Sequence, residues 1–480
     1  MNKEELLLSQ LFEEWSKEAP ASIAALPGSG SYRRYYRITG KSKTAMCVYN
    51  EDQKENLAFL SFSSSFHNSG FPVPAIYSVD PDNQAYLIQD LGDVTLFGLI
   101  EEKRRSNGGF SPEILKIYQE VIRWLPRFQV QGSTLVDYDL CYPRDAFDRQ
   151  SMMWDLNYFK YYFLKLAKVP FDEQKLEDDF ETLSDFLLRA DCNYFMYRDF
   201  QSRNIMMVDG NPWFIDYQGG RKGPLQYDIA SLLYDAKAAI PEEIRETLLH
   251  HYINELEKLK PVSRKEFVSY YYGFVLIRIL QALGAYGFRG YYENKPHFLK
   301  SIPFAVQNLK MLLDRGLIPA GLPMLSSVLL EMTSNKKFLD PEIIQSNLTV
   351  SIFSFSYKKS FPEDPGGNGG GFVFDCRALP NPGKMDEFKP LTGRDQPVID
   401  FLKREPAVDE FLNHAFALVD QSVKKYIDRD FSSLMVSFGC TGGQHRSVYC
   451  SEELAKHLKA KFPVQVNLIH NEIGQIEDRG

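Results

Sequence analysis

The sequence predicts two bodies in tandem: an α+β body of two lobes, small and β-rich then larger and helical, followed by a separate α/β domain. Three observations carry this. Short alternating apolar runs between Tyr32 and Ile88 read as strands, and amphipathic stripes from Ile114 to about Asn335 read as helices. Between them runs Phe195-Met196-Tyr197-Arg198-Asp199-Phe200-Gln201-Ser202-Arg203-Asn204, then a short strand, an Asp-Gly turn, a second strand and Asp216. Finally, Leu348 to Phe355 opens a new alternating strand after a polar stretch, and the strand Leu434–Gly439 runs into a glycine-bearing loop and an apolar helix. The expected divisions are 1–98 and 99–335 for the two lobes, 336–347 for a linker and 348–480 for the second domain.

At 480 residues, 44% hydrophobic and 25% charged, the chain has the composition of a soluble globular protein with room for two or three domains. A net charge of −8 argues against an overall nucleic-acid-binding surface. Cys47, Cys141, Cys192, Cys376, Cys440 and Cys450 include no C-x-x-C pair, so neither a zinc site nor a disulfide framework is indicated. Met1 to Pro20 is acidic and amphipathic, without a signal-peptide core. Phe267 to Leu283 is apolar but interrupted by Arg278 and three polar-tipped tyrosines, which reads as a buried helix rather than a membrane span. A cytoplasmic location without a membrane partner is expected, and the composition leaves the oligomeric state open.

Taken in order, Leu6, Leu7, Leu11 and Trp15 lie at helical spacing. Gly28, Ser29, Gly30 and Ser31 suit a tight turn whose backbone N–H groups face phosphate oxygens. Alone such a turn says little; at the head of a β-rich lobe it reads as a loop covering ATP. The next strand, Thr44 to Tyr49, holds no cation, although protein kinases carry there the lysine that pairs the α and β phosphates. Arg33 or Arg34 must then neutralise those phosphates, or the metal takes a larger share. The departure argues against a protein kinase. A helix over about Gln53 to Asn68 and two strands follow. The second strand ends in Gln89-Asp90-Leu91-Gly92, placed as a hinge whose backbone, at Gln89 and Leu91, meets adenine, with Asp90 as a helix cap or ribose contact. Ser111 and Pro112 begin a helix as cap and first residue. Leu176, Phe180, Leu183 and Leu187 form an apolar stripe just before the loop.

That loop matches H-R-D-x-x-x-x-N except that Tyr197 replaces the histidine. Phosphoryl transfer needs in-line positioning and charge cancellation more than covalent chemistry. Asp199 is therefore the candidate base for an attacking hydroxyl, and Asn204 and Asp216 the candidate ligands of a magnesium ion. An Asp-Asn turn after a strand is common on surfaces, but here the acid follows at the end of a second strand. Arg203, Arg221 and Asp228 are the candidate substrate contacts. Arg221 and Lys222 read as exposed cations that either grip an anionic substrate or are simply solvated, and Asp228 also reads as a helix cap.

In the second domain, Cys440-Thr441-Gly442-Gly443-Gln444-His445-Arg446-Ser447 joins a buried strand to a helix N-terminus. Backbone N–H groups and the helix dipole both favour an anion there, and Arg446 adds a fork suited to phosphate. The string C-x-x-x-x-x-R-S is also the spacing of cysteine phosphatases, in which a thiolate attacks phosphorus. A small buried cysteine fits the loop equally well without chemistry. His470 reads as structural or exposed.

Two resemblances cover nearly the whole chain. Residues 1 to about 330 resemble the aminoglycoside phosphotransferase-like superfamily, and within it bacterial anomeric kinases of N-acetylmuramate and N-acetylglucosamine. The carriers are Gly28 to Tyr35, Gln89-Asp90-Leu91-Gly92-Asp93, Arg198 to Asn204, and Gly223-Pro224 with Tyr227-Asp228. This implies a protein-kinase-like fold using ATP and Mg2+ to phosphorylate an amino sugar at its C1 hydroxyl, for cell-wall recycling. Residues 348 to about 470 resemble the C-terminal domain of the RNase adapter protein RapZ, through Phe355, Lys358, Phe374-Asp375, Arg377, Leu379 to Pro382, Leu391 to Gly393, Asp395 and Gly439 to Tyr449. That resemblance implies a phosphosugar effector of the glucosamine 6-phosphate kind, held by Asp375, Arg377, Cys440, Thr441, Gly442, Gly443, His445 and Arg446. Gly383 stands where that family has a histidine, which alters the expected sugar contacts. The stretch His470 to Gly480 is near neutral or acidic, so the basic tail used on RNA has no counterpart and RNA binding is doubtful. Two alternative functions remain: a non-enzymatic adapter with a degenerate lobe, and a bifunctional kinase-phosphatase using Cys440.

Overall fold

A computed structural model of the chain describes residues 3–26, 33–293, 295–339, 348–367, 369–429, 431–462, 464–473 and 475–477. Gly28, Ser29, Gly30 and Ser31, and residues 340–347 of the expected linker, lie outside the described residues. The chain divides into two compact units, Met1–Phe288 with Ser301–Leu339, and Arg289–Lys300 with Asp340–Gly480.

The first unit opens with helix α1 (Lys3–Ser16) and a five-stranded antiparallel sheet. Its strands are β1 (Ser22–Ala25), β2 (Arg34–Thr39), β3 (Thr44–Tyr49), β4 (Ile76–Val79) and β5 (Ala85–Ile88), in the order β1-β2-β3-β5-β4. Leu8, Leu11 and Phe12 of α1 pack on Ile38, Cys47 and Leu87, which explains the spacing of its leucines. Helix α2 (Gln53–Asn68) starts where the Asp52 carboxylate accepts the Glu55 N–H. Its inner face carries Phe59, Phe62 and Phe66. Phe66 stands edge-on to Phe128, Phe195 and Tyr217, each pair contributing ~0.5–1.5 kcal/mol beyond its buried area. This aromatic cluster ties α2 to the larger lobe and so fixes what the first turn of α2 presents to the site.

The larger lobe is helical: α3 (Leu96–Asn107), α4 (Pro112–Ile122), α5 (Arg149–Phe159), α6 (Glu173–Leu187), α7 (Leu225–Leu233), α8 (Glu242–Glu257), α9 (Arg264–Gly287), α10 (Ile302–Asp314) and α11 (Pro323–Ser334). Ser111 caps α4 with Pro112 at its first position, and the stripe of α6 is buried, both as expected. The apolar helix ending at Tyr292 is long enough to cross a membrane, yet 67% of its apolar stretch is buried within the protein. Arg278 is satisfied there by the Ser231 hydroxyl at 3.0 Å. Two ribbons break the helical pattern and carry the site. β7 (Ile205–Val208) pairs with β8 (Asn211–Phe214) through the Asp209-Gly210 turn, whose φ values of +49° and +77° suit those residues. β6 (Tyr194–Met196) pairs with β9 (Arg221–Gly223).

In the second unit, β11 (Phe372–Asp375), β12 (Ser433–Cys440), β10 (Thr349–Ser356) and β13 (Gln465–His470) lie side by side and parallel, with β14 (Gln475–Glu477) antiparallel at the edge. Helices α12 (Gln396–Lys403), α13 (Pro406–Asp428) and α14 (Arg446–Lys461) cover it. Val350, Ile352, Val436 and Phe438 pack on Val408, Val419 and Leu454 in one core. Arg289–Lys300, expected in the helical lobe, groups with this unit. The stretch folds on itself, with Glu293 paired to Arg289 and Lys295.

Candidate functional site

The loop after β6 sits on a buried acid. The Asp228 carboxylate, on α7 and wholly buried, accepts the backbone N–H of Tyr197 at 2.8 Å and of Arg198 at 2.9 Å, plus Gln129 Nε2 at 3.1 Å. Burial outweighs these donors and pushes its pKa up to about 7. Asp228 is therefore a loop anchor. The expectation of a substrate contact or helix cap is corrected: no substrate reaches a side chain with no exposed surface, and Pro224 holds the cap position. Tyr197 fills the histidine's place, its hydroxyl donating to Ile215 O at 2.6 Å and its ring wedged edge-on among Phe128, Phe200 and Tyr217.

Above this anchor, Asn204 and Asp216 come together. Asn204 Nδ2 donates to Asp216 Oδ2 and to the Asp199 carbonyl, both at 2.9 Å. Asp216 has φ +69°, turning its carboxylate back toward the loop. Gln218 Nε2 donates to its other oxygen at 2.7 Å. Burial and the Asp199 charge raise the Asp216 pKa, although 36% of its side chain still meets solvent. The Asp199 carboxylate has no hydrogen-bond donor among the described residues, and a Cβ at Gly219 would lie 3.8 Å from its Oδ2. It is placed to accept a proton. A carboxylate and an amide side by side are hard oxygen donors of the kind magnesium takes alongside water and phosphate oxygens.

The model of the phosphotransferase enzyme family matches residues 22–262, just over half of the chain. The chain belongs to the phosphotransferase enzyme family. A second model, the RapZ C-terminal domain, matches residues 348–474. Among curated proteins, a nucleotide-binding protein of Ralstonia nicotianae is 41% identical over 138 residues, 29% of this chain and 44% of that protein. One of Neisseria meningitidis serogroup B is 36% identical over 138 residues, 29% of this chain and 46% of that protein. The chain thus spans less than half the length of the curated relatives it matches. Among solved structures, a choline kinase of Cryptosporidium parvum is 13% identical, covering 68% of this chain and 99% of that one at a TM-score of 0.46. A Plasmodium vivax ethanolamine kinase is 12% identical, covering 62% and 84% at 0.45.

This phosphotransferase has no lysine on β3, and the structure brings Arg33 to the same neighbourhood. Arg33, 4% exposed at the head of β2, sets Nη2 2.7 Å from Glu55 Oε1 on α2 and Nη1 3.4 Å from Asp216 Oδ1. Burial opposes its charge, but Tyr86, Tyr35, Glu55 and Asp216 together hold its pKa above the ordinary value. Sequence reasoning missed Glu55; an acid in the first turn of the helix after the lysine-free strand was the available signal. Arg34 points elsewhere, paired with Glu4. At the hinge, Gln89 N–H donates to Ala75 O, while the Gln89 carbonyl and the Leu91 N–H have no protein partner among the described residues. Asp90 is held by Arg37 at both oxygens and accepts the Gly92 N–H at 3.0 Å, while Thr95 rather than Asp90 caps the following helix.

Among the cations, Arg203 lies over the Phe97 ring at 4.7 Å and stays exposed. Arg221 is 7% exposed, which corrects the expectation of a solvated cation; Lys222 is exposed, over Tyr138 at 4.9 Å. Arg198 pairs with Asp155 at 2.6 Å, a partner the sequence did not single out, and with the Tyr227 hydroxyl at 2.7 Å.

In the RapZ-type domain the parallel strands deliver Ser356, Asp375 and Cys440 to one edge, the carboxyl ends where open α/β sheets bind ligands. Cys440 Sγ receives the Gly443 N–H at 3.2 Å and lies 3.2 Å from the Ser447 hydroxyl. Burial alone would raise the thiol, but Ser447, Gly443 and Arg446 bring it below its usual range. The N–H groups of Thr441, Gly442 and Gln444 have no protein acceptor among the described residues. Gly442 borders open space; Gly443, at φ +70°, must be glycine because a Cβ would meet Glu472 Cγ at 2.3 Å. Arg446, 4% exposed, is held by the carbonyls of Arg377 and Leu379 at 2.9 Å, and its Nε has no partner. His445 bonds the Phe388 carbonyl at 2.9 Å. Asp375 and Arg377 pair with each other, Arg377 stacking on Tyr357 at 4.0 Å. His470 is buried between Ser354 and Glu452, its structural reading.

Proposed function

We propose that the first unit transfers the terminal phosphoryl group of ATP to the C1 hydroxyl of an amino sugar of the N-acetylmuramate/N-acetylglucosamine class, in cytoplasmic cell-wall sugar recycling. The observation that carries this is the Asn204 bridge between Asp216 and the Asp199 backbone, which leaves the Asp199 carboxylate uncommitted beside it. Asp199 accepts the proton of the attacking hydroxyl. Asn204 and Asp216 hold magnesium, which when bound cancels charge on the phosphates. Arg33, braced by Glu55, faces the phosphates in place of the strand lysine, and Gly28, Ser29, Gly30 and Ser31 are the residues assigned to cover ATP. Gln89 and Leu91 offer backbone acceptor and donor to adenine. The missing strand lysine and the missing loop histidine would suit a degenerate lobe, but Arg33 and Tyr197 stand in for them, so the enzymatic reading is preferred to an adapter.

The second unit reads as a sensor for a phosphosugar such as glucosamine 6-phosphate, its phosphate on the Cys440–Arg446 loop, and adjusts the kinase. Screening free amino sugars for ATP consumption, with the phosphorylated carbon located by NMR, tests the first claim; no consumption with any of them overturns it. Glucosamine 6-phosphate that changes neither thermal stability nor kinase rate overturns the second.

A further inference from the structure

Beside the base stands a buried cation with no carboxylate in contact with it among the described residues, Asp155 and Asp199 acting on its charge only from farther off. Arg221 leads β9, and among the described residues its side chain makes one hydrogen bond, Nε to the Gly219 carbonyl at 3.0 Å. It has no carboxylate within 4.0 Å among the described residues, although it is 7% exposed. The acids that act on it lie beyond contact: Asp155 gives Oδ1 to Arg198 at 2.6 Å and keeps Oδ2 unpartnered, and Asp199 serves the reacting hydroxyl. A largely buried guanidinium with no carboxylate in contact costs roughly several kcal/mol unless a ligand supplies the charge.

Its position says what that ligand is. Gly219, which accepts from Arg221, stands against the Asp199 carboxylate. Over β9 runs the segment 137–147, tied down by Lys222 N–H to Asp145 O at 2.8 Å and Phe147 N–H to Lys222 O at 2.7 Å. At its start, the turn Tyr138–Leu140 packs against α2. The segment therefore straps the larger lobe to the smaller one beside the base. Arg221 lies under it, sensing Cys141 from the strap and Arg198 and Asp199 from the loop. This is the acceptor's place rather than adenine's, since the hinge lies at Gln89 to Leu91.

We propose that Arg221 receives a carboxylate carried by the acceptor, making it the residue that selects acidic over neutral amino sugars. This rests on the phosphotransferase reading above. A planar guanidinium fork suits a carboxylate bidentately, which a lysine would not match. Burial and the neighbouring Arg198 lower the Arg221 pKa to about 10, the condition an arriving anion relieves.

The test compares kcat/KM of the full chain for N-acetylmuramate, its methyl ester and N-acetylglucosamine, in wild type and in Arg221→Met and Arg221→Lys. The acid is expected to exceed its ester in wild type. The acid-to-neutral ratio should fall by at least about tenfold in Arg221→Met, the size of one charge-assisted hydrogen bond, with partial recovery in Arg221→Lys. An unchanged ratio in variants that keep the wild-type melting temperature overturns the assignment. So does a parallel fall on all three acceptors, which would place Arg221 on the transferred phosphoryl group. Should wild type phosphorylate none of them, the amino-sugar reading falls and takes this one with it.

Discussion

Arg33 Nη2 lies 2.7 Å from Glu55 Oε1, joining the head of β2 to the first turn of α2. Protein kinases make the equivalent join with a lysine on the third strand and a glutamate on a helix, and both must be in place for phosphoryl transfer. Here the cation comes from the neighbouring strand, and its other nitrogen faces Asp216.

If this pair does the lysine's work, Arg33→Met should lower kcat/KM for ATP by roughly 10²-fold or more, the scale of losing a preorganised charge aimed at the transferring group. Glu55→Gln should lower it less. The double variant should be no worse than Arg33→Met, because the two residues act as one unit. Steady-state kinetics over ATP concentration decide it, and additive losses would separate the residues.

Asp199→Asn should reduce kcat by roughly 10²–10⁴-fold, the usual contribution of a positioned base. ATP affinity, measured calorimetrically with magnesium, should stay within about threefold, because Asp199 makes no contact that positions Asn204 through its side chain. Equal turnover removes Asp199 from the role.

Asp228→Ala leaves the Tyr197 and Arg198 N–H groups buried without an acceptor. It should cost about 2–4 kcal/mol of stability, read by denaturant unfolding. The sign of its pH dependence follows from a folded pKa of about 7 against an ordinary 3.8. Between those values the folded state holds more protons than the unfolded one, so Asp228's contribution falls as pH rises and levels off above 7. Asp228→Asn should flatten that decline; an unchanged slope between pH 5 and 7 would refute the buried-acid account.

Cys440 should be the first of the six cysteines alkylated by iodoacetate near neutral pH. Cys141 and Cys192 are pushed up to about 12 and about 11 by burial, and burial raises Cys376 as well. Inorganic phosphate or glucosamine 6-phosphate should protect it, and Arg446→Met should weaken that protection. Labelling indifferent to phosphate, located by peptide mapping, would detach Cys440 from an anion site.

Much of the site was legible because its logic is local. Asp199 and Asn204 share one loop and Asp216 ends the next ribbon, so fixed spacings bring the two metal-binding candidates to 2.9 Å. The Cys440–Ser447 string likewise sets a strand, a loop and a helix end in sequence. Burial and partnership are not local. Arg221 and Asp228 look like surface charges in the string, but β6 pairing and the packing of α7 bury both.

The chain's own spacing and patterning thus determined the two folds, the spacing of Asp199, Asn204 and Asp216, and the strand–loop–helix unit at Cys440, because neighbouring residues impose them through backbone geometry. Only the tertiary structure decided that Arg33 meets both Glu55 and Asp216, that Asp228 braces the loop and that Arg221 is buried with no carboxylate within 4.0 Å among the described residues. Each depends on groups far apart in the chain, 183 residues in the case of Arg33 and Asp216, meeting where solvent is excluded and charge must be matched.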